Sequence, residues 1–314
     1  MKPVYIHTVG DSTLDNLFWV LSHKLDVKKA KSDSVEGQLE KLCNSNSKTK
    51  YKVISHAYDG FTTKSVLTSD EIGRVLPKNG QIKATYLREK QKECSVVAPL
   101  VELKRSIENA PDAEHFVVLS VGGNDFRENL TNPLKLLWDI SSIQKRYIQI
   151  VQEIQSIQSR KCHLILMLQY KTDKNNDPYR IYPLMKVLGV FARCVQATSL
   201  AALFACTMLT RISWVTTALF GAFGALGLYA SSTISPLNRI LTHDSEQTFD
   251  QLAQFFYKPI LAHAKEHKIP VLDLRRIFDP KKPLYTCGIE PNVEGGRLIA
   301  EGLTHIIKNA SSSL

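Results

Sequence analysis

Apolar residues along this chain fall into two rhythms. Short apolar runs bounded by turn or polar residues occur at 3–9, 51–57, 115–121, 163–169 and 269–273, and these predict β-strands. Between them apolar positions recur every three or four residues and predict helices over 14–24, 34–43, 98–109, 133–159, 245–267 and 292–308. Strands that alternate with helices imply crossover connections, a parallel sheet and an α/β domain. In open sheets of that kind, functional groups gather at the carboxyl ends of the strands. Ser12, Gly60 and Asn124 fall there by simple counting.

One stretch breaks the alternation. Residues 194–209 and 214–230 contain no charged residue, with Thr210-Arg211-Ile212-Ser213 between them. Lys186 and Arg193 precede the pair and Arg239 follows it. A helix of the second segment's length reaches about 25 Å, close to the hydrocarbon thickness of a bilayer. Gly221, Gly224, Ala225 and Gly227 suit close helix packing, and Trp214 and Tyr229 sit where interfacial aromatics belong. The expectation is an apolar helical hairpin inserted at 175–240, between a first domain part at 1–174 and a final part at 241–314. It would anchor the protein to a membrane through residues 194–230, with both ends on the cytoplasmic side. The alternative is a buried hairpin that caps the core or dimerises. Because the insertion follows the run 163–169, it leaves the sheet on the same edge as Ser12, which would hold that edge near lipid headgroups.

The chemistry starts at Gly10-Asp11-Ser12, directly after the run Val4–Val9 and before Leu14, Leu17, Phe18 and Leu21. Strand, tight turn and helix N-terminus would place a hydroxyl among backbone N–H groups at the positive end of a helix dipole. A nucleophile that passes through an anionic tetrahedral intermediate needs such a place. Three further blocks follow in order: Tyr58-Asp59-Gly60-Phe61-Thr62-Thr63, then Gly122-Gly123-Asn124-Asp125, then Cys287-Gly288-Ile289-Glu290-Pro291-Asn292. Together they resemble the SGNH hydrolases, the GDSL lipases and esterases, over nearly the whole chain outside about 175–240. The resemblance implies a flavodoxin-like three-layer α/β/α sandwich and a serine acyl-ester hydrolase working through an acyl-enzyme on Ser12. It also implies an oxyanion hole made by the backbone N–H groups of Ser12 and Gly60 and the side-chain amide of Asn124.

The terminal block departs from the family's Asp-x-x-His-Pro. Pro291 sets the frame, so Glu290 stands at the histidine position and Cys287 at the aspartate position. Three readings stay open. Glu290 acts as the general base itself, or a histidine from elsewhere fills the pocket, or turnover is lost and the fold serves as a membrane-anchored binding protein. Of the histidines, His56 is best placed by sequence and His243 next, whereas His7 lies inside the first strand and His305 deep in the last helix.

Composition narrows the partners. An apolar fraction of 44% with 22% charged residues is that of a globular chain with a sizeable core. The net charge of +10 serves solubility or attraction to an anionic membrane surface. Basic residues are not interleaved with aromatics, so nucleic acid is not an expected partner. An acyl ester or lipid is the expected substrate. The six cysteines form no Cys-x-x-Cys pair and read as reduced thiols. With no signal-peptide pattern before the Ser12 block, the expected location is membrane-associated on the cytoplasmic side. His263-Ala264-Lys265-Glu266-His267 matches the H-x-x-E-H pattern of zinc peptidases, yet no second acidic motif accompanies it. It reads as a solvated helix end, and no metal or organic cofactor is implied.

Overall fold

Strand β1 (Val4–Gly10) is buried at all but one position, the mark of a central strand covered on both faces. It pairs in parallel with β2 (Tyr51–Ala57) on one side and β3 (Glu114–Ser120) on the other. Beyond β3 come β4 (Cys162–Leu168) and β5 (Val271–Asp273), also parallel, giving the order β2-β1-β3-β4-β5. This is the flavodoxin-like order. The computed structural model describes residues 3–21, 27–45, 47–68, 98–129, 133–157, 161–169, 173, 198, 245–279, 281–286 and 288–312.

Side-chain alternation sorts the strands' residues between two helical layers. Ile6, Phe116, Val118, Ile165 and Met167 pack with Val35 and Leu39 of α3 (Val35–Asn44) and with Ile299, Leu303 and Ile307 of α9 (Val293–Ser312). The α9 residues recur every fourth position, one buried stripe of an amphipathic helix. Each such side chain contributes about 1.5–3 kcal/mol on burial. Short helix α2 (Val27–Asp33) lies beside α3, and α1 (Leu17–Val20) lies beside α2. The second layer holds α4 (Thr63–Leu67), α5 (Pro99–Glu108), α6 (Gly123–Asn129) and α7 (Pro133–Gln155). There Leu103, Ile107, Ile143, Tyr147 and Ile150 are buried.

The chain divides into two compact units, one of Met1–Asn176 with Pro259–Leu314 and one of Asp177–Lys258. Helix α8 (Ser245–Glu266) runs across that division. The predicted apolar hairpin at 175–240 lies outside the described residues, apart from the single position 198. Among the described residues, no helix is long and apolar enough to cross a membrane. Cys43 and Cys162 are free thiols.

The predicted strands lie within two residues of the observed ones, but the helix expected over 14–24 does not form as such. Residues 11–14 turn tightly, helix α1 covers only Leu17–Val20, and Leu21 is extended. The reason is Asn16, whose side chain is drawn into contacts with distant backbone and cannot sit on a continuous helix face. Ser12 is therefore held in a turn and not at the N-terminus of a long helix.

Candidate active site

Strand β1 ends at Gly10, where φ is +142°. A Cβ there would lie 1.6 Å from the Ser120 carbonyl oxygen, so only glycine lets β1 and β3 run this close. The Asp11 N–H then donates to Ser120 O at 3.0 Å, and Leu14 and Asp15 N–H both return to Asp11 O at 3.1 Å. Ser12 sits within this turn, 5% exposed. Gln169, one residue past β4, clamps it. Its amide donates to both Asp11 carboxylate oxygens (3.2 and 3.0 Å) and to Ser120 Oγ (3.2 Å), and its Oε1 accepts from Thr13 Oγ1 (2.8 Å). Burial still pushes the Asp11 carboxyl up to about 6, against the hydrogen bonds from Thr13 and Gln169.

The second block is fastened to the first through backbone groups. Tyr58 N–H donates to Gly10 O at 3.0 Å, and Asp59 N–H to Asp15 Oδ2 at 3.1 Å. Gly60 then adopts φ +87°. The third block is tied to the second by side chains. Asn124 Nδ2 donates to Phe61 O at 2.9 Å, and Asp125 accepts from Thr63 N–H (2.7 Å) and Thr63 Oγ1 (2.6 Å). Arg146 of α7 reaches Asp125 Oδ1 at 3.3 Å and Thr63 Oγ1 at 2.8 Å. Among the described residues, no hydrogen bond engages the backbone N–H of Ser12 or Gly60. The Asn124 amide carries two N–H groups, so its anchor on Phe61 aims a second donor.

The terminal block joins them from the far end of the chain. Glu290 and Pro291 form β7, paired antiparallel with β6 (Tyr285–Thr286). Asn16, fully buried, donates from Nδ2 to Pro291 O (3.1 Å) and accepts from Val35 N–H at Oδ1 (2.8 Å). That fixes β7 beside the Ser12 turn. Glu290 is 3% exposed and the Ser12 side chain is a hydrogen-bonding neighbour of its carboxyl. Burial first, and then the carboxylates of Asp59 and Asp11, push the Glu290 carboxyl up to about 8, against the pull of Ser12 and Arg127. Asp59 is itself pushed up to about 7, by burial first and by Asp15 next. Both Asp59 oxygens are shielded from solvent without a closed hydrogen bond, the Trp19 indole N–H easing the group only weakly.

No histidine shares this turn among the described residues. His56 belongs to a buried imidazole chain that crosses β2, β1 and β3. His115 Nε2 meets Ala110 O at 2.9 Å, His115 Nδ1 meets His7 Nε2 at 3.0 Å, and His7 Nδ1 meets His56 Nε2 at 3.2 Å. A carbonyl only accepts, so His115 donates from Nε2, and among neutral rings that orders the chain with each proton on Nε2. Burial, with His56 and His115 alongside, pushes His7 down to about 3. The remaining His56 Nδ1 lies 3.7 Å from Glu102 Oε2. His305 is on an exposed helix face with Asn309 at 3.0 Å. His243 and Cys287 lie outside the described residues.

The structure thus gathers Ser12, Gly60, Asn124 and Glu290 on one rim, and adds Asn16, Asp59 and Gln169, which the sequence reading passed over. Asn16 was visible only as a polar residue in an apolar stretch, and Asp59 only as the neighbour of Gly60. A groove of about 500 Å³ lined by Leu100, Lys104, Ile107, Glu108, Glu153 and Ile157 includes none of these residues. A buried hydroxyl, an adjacent carboxyl of raised basicity and unengaged backbone donors make a constellation suited to acyl transfer.

No protein-family model matches the chain, and no curated protein matches it in sequence. It is similar to solved structures of esterases. One is a carbohydrate acetylesterase from Sinorhizobium meliloti, at TM-score 0.46 and 8% identity, covering 98% of this chain and 99% of that one. Another is a member of the lipolytic protein G-D-S-L family from Veillonella parvula, at TM-score 0.44 and 11% identity, covering 97% and 98%. A third is the native aryl esterase of M. smegmatis, at TM-score 0.41 and 11% identity, covering 98% and 99%.

Proposed function

We propose that this chain is a serine acyl-ester hydrolase with Glu290 as its general base. The observation that carries the reading is the fully buried Glu290 carboxyl beside the Ser12 hydroxyl. As a carboxylate, Glu290 takes the Ser12 proton while Oγ bonds to the ester carbonyl carbon. The resulting oxyanion is received by the N–H groups of Ser12 and Gly60 and by the Asn124 amide, each such donor typically lowering the barrier by about 3 kcal/mol. Collapse expels the alcohol, which takes the proton back from Glu290, and water repeats the sequence on the acyl-enzyme. An ordinary glutamate is a weak base, and a carboxyl raised to about 8 is a much stronger one. A carboxylate presents two equivalent oxygens and needs no partner to fix a tautomer, which makes a cysteine at position 287 intelligible. The uncharged segments at 194–209 and 214–230 support action at a membrane surface, on a lipid or another apolar acyl ester.

The test uses the full-length protein, a fluorophosphonate probe and p-nitrophenyl acyl esters. Labelling and turnover by the wild type, both lost in Ser12→Ala, are expected. A wild type that is never labelled leaves the alternative of a binding protein that keeps the fold. Deleting residues 187–231 addresses the membrane part separately, by whether the protein leaves the membrane fraction.

A further inference from the structure

Away from the Ser12 rim, α8 ends in His263, Ala264, Lys265, Glu266 and then His267. His267 N–H donates to His263 O at 3.0 Å, so the two histidines stand one helical turn apart on the same face. Their rings lie 4.2 Å apart between centroids. One ligand atom from each of His263, Glu266 and His267 comes within 4.8 Å of the others, the spread a single ion draws together by small rotamer changes. We propose that this helix end is a binding site for a divalent transition metal, zinc by its ligand chemistry, held by His263, Glu266 and His267. Two imidazoles and one carboxylate are a donor set that zinc accepts, with a fourth position left for water.

Three features of the surroundings favour the site. The helix terminus is locked: Lys268 adopts φ +52°, and Ile269 N–H closes on Ala264 O at 2.8 Å, so the histidines start from a fixed backbone. Gln155, at the end of α7, accepts from His263 Nε2 at 3.2 Å. An amide oxygen only accepts, so the proton is on Nε2 and the Nδ1 lone pair is left available, the outer-shell arrangement that orients metal-bound histidines. The negative end of the helix dipole also favours a cation here, and Glu266 offsets part of its charge against Lys265 and Lys268.

Zinc alone is the probe. The full-length protein competes for zinc against a chromogenic chelator at pH 7.5, beside His263→Ala, His267→Ala and Glu266→Gln. The wild type is expected to withdraw one zinc that either histidine variant holds at least roughly tenfold more weakly, with Glu266→Gln weakened less. All these side chains are at least partly exposed and the cysteines stay in place, so a difference between wild type and variants reports this site alone. A wild type that takes no zinc from the chelator, or histidine variants that hold zinc as tightly as the wild type, would overturn the proposal.

Discussion

Replacing Glu290 by glutamine tests the site through stability and rate together. The side chain keeps its shape and loses only its titration. In the folded wild type the carboxyl is pushed up to about 8, against 4.5 for an ordinary glutamate. A raised carboxyl holds its proton in the folded state when the unfolded chain has already released it. Wild-type stability from this group is therefore full below pH 4.5 and is lost as pH rises towards 8. At about 1.36 kcal/mol per unit, the 3.5-unit gap between 4.5 and 8 corresponds to about 5 kcal/mol. Asp59, pushed up to about 7, titrates in the same window and shares part of this. Glu290→Gln should match the wild type within about 1 kcal/mol at pH 4.5 and exceed it by about 3–5 kcal/mol at pH 9. Urea unfolding followed by tryptophan fluorescence at several pH values reads the difference. The rate moves the other way: wild-type kcat/KM for p-nitrophenyl acetate, less the uncatalysed rate, should climb with a midpoint near pH 8 and level off above it. In the variant it should be flat and about 10²–10⁴-fold lower. A stability difference that does not change with pH, or a wild-type limb near pH 4.5, refutes the reasoning.

Two further outcomes follow from buried polar groups. Asn16→Ala leaves Pro291 O and Val35 N–H unpaired in a fully buried setting, so it should destabilise the fold by about 2–4 kcal/mol. It should also depress kcat more than it raises KM, because β7 is no longer fixed beside Ser12; a cost under about 0.5 kcal/mol in urea unfolding would count against this role. His7, pushed down to about 3 from 6.5, stays neutral in the folded chain while the unfolded chain is protonated, so its contribution is complete above pH 6.5 and is lost as pH falls towards 3. Imidazole ¹⁵N NMR isolates it from the carboxyls, whose sign is opposite: His7 should keep its Nε2–H tautomer at pH 5, and an ordinary titration near 6.5 would show the imidazole chain to be absent.

The parallel sheet and the edge that carries Ser12, Gly60 and Asn124 were legible because both depend on local rhythm. An apolar run ending in Gly10-Asp11-Ser12 or Gly122-Gly123-Asn124 marks the carboxyl end of a strand wherever the rest of the chain goes. Glu290 was legible as a position, through Pro291, and as one of three candidates for the base, but its raised proton affinity was not, because that comes from burial and from Asp59, 231 residues earlier in the chain. The expected helix over 14–24 failed for the same reason. Apolar spacing favoured it locally, and Asn16 was claimed instead by backbone groups at 35 and 291.

The alternation of strands and helices, the order of the chemical blocks and their placement at strand ends are written into the chain locally. Each follows from side-chain periodicity and turn chemistry within a few residues. The pairing of the histidines of β1, β2 and β3, and the placing of a carboxyl beside the serine, arise only on folding. Hydrogen-bond partners and proton affinities are set by neighbours in space. Folding brings those neighbours together from strands and turns that the sequence keeps far apart.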